Sequence, residues 1–129
     1  PLVVVGHSGA FRTIVPWLGE PSLNHLILLD GLYDCAEPFH RWLSGHVRKR
    51  LTLVTRGTDE WADPFITRVP GAQRAAQIPE RFRDLTVKQR TARLLDLSSQ
   101  YGHMEIVTSG KTIPVILRRT PLFGFLGPL

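Results

Sequence analysis

Three uninterrupted apolar runs constrain this chain most: Leu2 to Val5, His25-Leu26-Ile27-Leu28-Leu29 and Leu51-Thr52-Leu53-Val54. A strand with one wet face alternates apolar and polar residues. A strand covered on both faces is apolar throughout, as in parallel sheets flanked by helices. Helix-like stretches separate the runs. Ala10 to Leu18 comes first, shortened or kinked by Pro16, which lacks a backbone donor. Glu37 to Leu43 follows, with Pro38 near the favoured first turn. The third opens at Asp59-Glu60-Trp61-Ala62-Asp63, whose acids suit the positive end of a helix. The alternation predicts an α/β fold, a mostly parallel sheet with flanking helices and right-handed crossovers.

The rest of the chain is less regular. Leu94-Leu95-Asp96-Leu97 reads as a fourth strand or as the end of a helix beginning near Thr86. Gly71 to Asp84 reads as loose chain with a short helical turn at Pro79-Glu80-Arg81-Phe82. Met104 to Arg119 reads as helix in pieces, broken around Gly110 and restarted near Ile113-Pro114. Trp17, Trp42 and Trp61 occupy comparable places after the three runs, which suits contact between helix and sheet. The closing stretch from Phe123 to Leu129 either covers a sheet edge or frays.

Composition narrows the function classes. At 129 residues and 43% hydrophobic content, the chain is one domain's worth of sequence with a real core. Its first residues run straight into a buried-type strand, and four parallel strands would leave an unpaired edge. The expectation is therefore that residues 1–129 form the C-terminal part of a single α/β domain whose N-terminal strands are missing. Any targeting signal would be missing with them, which leaves the cytoplasm as the default compartment. No apolar run approaches the roughly 20 residues of a membrane span. The single cysteine, Cys35, excludes an internal disulfide and a cysteine-built zinc site. The net charge of +5 is mostly scattered. Its one dense run, His46-Val47-Arg48-Lys49-Arg50, has no interleaved aromatic residue to stack on bases, so it reads as a solvated turn before a strand and not as a nucleic-acid patch.

Chemistry concentrates where the first run ends. In Gly6-His7-Ser8-Gly9-Ala10 a serine lies between an apolar strand and a helix, with small residues two places away on either side. Such a sharp turn lifts the serine oxygen above the sheet edge and directs the next N–H, that of Gly9, toward a developing oxyanion. These residues resemble the nucleophile elbow of the α/β-hydrolase fold family, in which a strand ends in Gly-His-Ser-x-Gly. Ala10 stands here where glycine is commoner. The resemblance covers essentially the whole chain and implies an α/β-hydrolase type of sheet. It lacks the earlier loop that supplies a second oxyanion donor.

The family's order of serine, acid, histidine implies the remaining members. His103 is the late histidine, in a loop beyond the fourth run, and takes the place of the general base. Asp59, in Arg56-Gly57-Thr58-Asp59 after the third run, is the first choice of acid. Its other reading is a helix cap. Asp30, at the end of the second run in Leu28-Leu29-Asp30-Gly31, is the alternative acid, and otherwise a turn former. His7 reads as a supporting neighbour and Glu105 as a helix-start acid. His25, His40 and His46 lack metal-ligand spacing, and no phosphate loop with its lysine is present, so neither metal nor cofactor is expected. The implied activity is a serine hydrolase acting on a small-molecule ester, thioester or amide through an acyl-enzyme. The alternative is a hydrolase-like scaffold used for binding or interaction without catalysis.

Overall fold

The computed structural model describes residues 1–34 and 36–122. Cys35 and the Phe123 to Leu129 stretch, read above as an edge cover or a frayed end, lie outside the described residues. The strands are β1 (Leu2–His7), β2 (Leu23–Leu29), β3 (Arg50–Thr55), β4 (Gln73–Ala75) and β5 (Leu94–Ser98). They form one all-parallel sheet of five strands in the order β1-β2-β3-β5-β4. The helices are α1 (Phe11–Ile14), α2 (Ala36–Ser44), α3 (Asp59–Thr67), α4 (Val87–Thr91), α5 (Glu105–Thr108) and α6 (Thr112–Ile116).

The two-sided burial inferred from the apolar runs is visible in β2. Leu26 and Leu28 enter one core with Phe11 and Ile14 of α1, Phe39 and Trp42 of α2, and Phe65 of α3. Ile27 and Leu29 point the other way and join Leu95 and Leu97 of β5, Ile106 of α5 and Ile116 of α6. The period of two along a strand thus feeds both faces. Burying a Leu or Ile side chain contributes roughly 1.5–3 kcal/mol, so the central strands dominate the cohesion of the sheet.

Four details differ from or sharpen the sequence reading. Leu94–Ser98 is a strand. The helix before it is opened by a capping box between Thr86 and Gln89 and ends at Thr91, because Ala92 is extended (ψ 145°). The short strand β4 was not anticipated, since three residues without an apolar run leave no periodic signal. The helical turn placed at Pro79 to Phe82 lies instead at Phe82–Asp84. Pro16 limits α1 to one turn, continued as a 3₁₀ turn at Val15–Trp17. Trp17 is consequently 53% exposed, whereas Trp42 is buried as expected. Among the described residues no helix is long and apolar enough to cross a membrane.

Candidate functional site

The C-terminal ends of β1, β2 and β5 bring the expected chemistry together. Ser8 follows β1 with φ 55°, a left-handed conformation that a non-glycine residue adopts only when its surroundings enforce it. The enforcement is steric. A Cβ on Gly6 would lie 2.3 Å from Ile14 Cδ1 and 3.3 Å from Ala10 Cβ, so the turn folds back against the strand only with glycine there. Gly31 has a matching role that sequence reasoning missed, since a Cβ there would lie 3.0 Å from the Ser8 carbonyl oxygen. The chain leaving β2 passes directly against the serine turn. Gly9 is exposed in the 3₁₀ turn Ser8–Ala10, where leading N–H groups have no partner within the helix.

The acid is the clearest correction. His103 Nδ1 lies 2.6 Å from Asp30 Oδ2, so the partner of the imidazole is the alternative acid, Asp30, and not Asp59. Asp59 is exposed as the first residue of α3 and has no hydrogen bond to His103. The Arg56-Gly57-Thr58 turn that suggested Asp59 turns its donors back onto Asp30. Arg56 N–H and Gly57 N–H each donate to Asp30 Oδ1 at 2.9 Å, and the Thr58 hydroxyl does so at 3.0 Å. One carboxylate oxygen is thereby anchored and the other is left for the imidazole. Asp30 is 2% exposed and itself has φ 46°. Burial works against its charge, but the bonds from His103, Gly57, Arg56 and Thr58 outweigh burial and hold the carboxyl below its ordinary range.

His103 sits in the loop after β5, whose start is tied by reciprocal bonds between Ser99 Oγ and the Tyr101 backbone at 2.8 and 2.9 Å. Its side chain is 37% exposed. His7 Nε2–H donates to the His103 carbonyl at 2.8 Å, and the two rings lie 4.6 Å apart between centroids. The residue beside the serine therefore braces the histidine loop, a role its sequence position only hinted at. Glu105 opens α5 and accepts from Gly102 N–H at 3.4 Å, as the helix-start reading implied. No hydrogen bond joins the Ser8 and His103 side chains in this geometry, and Nε2 of His103 has no partner among the described residues. Among those residues no group of three or more His, Cys, Asp or Glu side chains is placed to hold a metal ion.

Chemically, the arrangement has a carboxylate that fixes one imidazole nitrogen as a donor, which leaves the other as a free base. It also has a strained hydroxyl residue on the adjoining turn. Comparison with family models, curated proteins and solved structures finds no match.

Proposed function

We propose that this chain carries the catalytic serine, histidine and acid of a hydrolase of the α/β-hydrolase type, cleaving an ester, thioester or amide bond of a small acyl substrate. The observation that carries the reading is the 2.6 Å Asp30–His103 bond at the same strand ends as the left-handed Ser8 turn. In this mechanism His103 Nε2 takes the Ser8 proton as Ser8 Oγ attacks the acyl carbonyl. The oxyanion that forms is held by the Gly9 N–H. His103 then protonates the leaving group, giving an acyl-serine. Water, deprotonated by the same nitrogen, attacks the acyl carbon and releases Ser8 and the acid. Asp30 keeps Nδ1 protonated and stabilises the imidazolium formed in each half-reaction.

A non-catalytic binding scaffold is the second reading, and the absence of a Ser8–His103 hydrogen bond is the observation in its favour. Substrate-free sites often hold such pairs apart, so the geometry is compatible with either reading. Intact-mass measurement after exposure to a fluorophosphonate separates them. The expected result is one adduct on the parent, lost in Ser8→Ala and His103→Ala. A folded parent that takes up no label overturns the hydrolase reading.

A further inference from the structure

The opposite end of the sheet holds a cleft of about 350 Å³. Its walls include Asn24 and His25 of β2, Arg48 and Arg50 at the entry to β3, and Arg119 and Thr120 beyond α6. His25 precedes Asp30 by five positions along an extended strand, a span of about 17 Å at roughly 3.3 Å per residue. The cleft is thus separate from the serine–histidine site.

Its charge is one-sided. Arg119 is 8% exposed. It donates to Thr52 Oγ1 at 3.0 Å, to the carbonyls of Gln89, Arg90 and Ala92 at 2.9, 3.1 and 3.1 Å, and to that of Leu51 at 3.4 Å. These acceptors satisfy its N–H groups without cancelling its charge. Burial, together with the Arg50 charge, pushes its pKa down to about 10. Arg50 likewise donates only to carbonyls, those of Thr91 and Ala92, at 2.6 and 3.1 Å. The Arg48 side chain has no hydrogen-bond or ion-pair partner among the described residues. Among the described residues no carboxylate pairs with any of the three guanidinium groups. Buried or clustered cations in folded proteins are ordinarily paired, so the partner these groups lack is an anion from outside the described residues.

A buried, unpartnered ring nitrogen belongs to the same wall. His25 is 1% exposed, and its Nε2 lies 3.2 Å from Thr52 Oγ1. That hydroxyl also accepts from Arg119 and keeps its own proton, which Nε2 of His25 can accept. In that tautomer the neutral ring carries its own proton on Nδ1, which is buried and has no hydrogen-bond partner. Asn24 Oδ1 is also unpartnered and suits the hydroxyl of a protonated oxyanion. We propose that this cleft binds a phosphate group, with Arg48 and Arg50 as cationic clamps beside the buried His25 ring. Three uncompensated guanidinium groups favour a dianion over a monocarboxylate.

The test is a titration of the full chain with inorganic phosphate, followed by long-range ¹H–¹⁵N spectra of the histidine rings. Acetate and chloride at matched ionic strength serve as comparison arms. Expected is a saturable movement of the His25 Nδ1 resonance with half-saturation on the order of 1 mM. Arg48→Gln should weaken it about tenfold, and the exposed remote change Arg83→Gln should leave it unaltered. Movement that never saturates, an equal response to chloride, or unchanged binding in Arg48→Gln reduces the site to an adventitious ion only and overturns the proposal. An equal response to acetate overturns the assignment to phosphate. Arg48 lies in an exposed turn, so its replacement leaves the fold intact.

Discussion

At the C-terminal ends of the strands, Asp30 meets an imidazole, two backbone N–H groups and a hydroxyl, all from this chain. At the N-terminal ends, Arg48, Arg50 and Arg119 gather around His25 with no carboxylate paired to them among the described residues. One end closes its electrostatics internally and strains the backbone to do so, with positive φ at Ser8 and Asp30. The other leaves its charge open. The contrast shows that burial alone does not dictate protonation. Asp30 has a lowered pKa despite burial because four donors face it, whereas His25, offered a single hydroxyl and two arginine charges, is pushed down to about 3 chiefly by burial.

The sharpest way to break this comparison is at Asp30. Asp30→Asn should slow fluorophosphonate labelling by about 10⁴-fold, since the amide favours the wrong imidazole tautomer, while Asp59→Asn changes the rate by less than about threefold. Equal losses in the two variants would return Asp59 to the mechanism. At the other end, Arg119→Met strips the donor from four backbone carbonyls and should destabilise the fold by roughly 2–4 kcal/mol in urea unfolding. The exposed Arg48→Met should stay within about 0.5 kcal/mol.

The His25 shift makes a pH prediction. Its folded pKa is depressed from 6.5 to about 3, so between those values the unfolded chain binds a proton that the folded chain refuses. Stability is therefore full above pH 6.5 and falls with acidification. The loss should reach about 2 kcal/mol by roughly pH 5, before the carboxylates titrate appreciably. His25→Leu should flatten the unfolding free energy across that window. Asp30 adds a loss of the same sign at lower pH, as acid protonates a carboxyl held down in the folded state. A smaller effect is at Ser8. Ser8→Gly should be more stable than Ser8→Ala by about 1 kcal/mol, because only glycine adopts φ 55° without strain. The same pair at His7, where φ is −113°, should reverse in order.

The legibility of the two ends differed for a physical reason. Ser8 and His103 could be found because a strand followed by a glycine-flanked serine, and a late loop histidine, are local patterns. Asp30 and Asp59 could not be ranked locally, since both are acids at strand ends beside turn residues. The Arg56-Gly57-Thr58 turn was conspicuous in the sequence, but the direction of its N–H groups depends on how β2 and β3 lie side by side. The basic run through Arg48 and Arg50 was read as a solvated turn, and it does enter β3 through one. Its approach to Arg119 spans about 70 positions of chain, which no local pattern encodes.

The amino-acid sequence by itself determined the layered α/β class, because continuous apolar runs require cover on both faces, and it determined where the serine turn sits, because Gly6 and Ala10 leave room for it. Only the tertiary structure decided which acid meets His103, that His7 braces the histidine loop, and that the guanidinium groups converge on His25. Strand identity is set by neighbours along the chain, but contacts between strand ends depend on sheet order, and β1-β2-β3-β5-β4 becomes definite only when the strands pair.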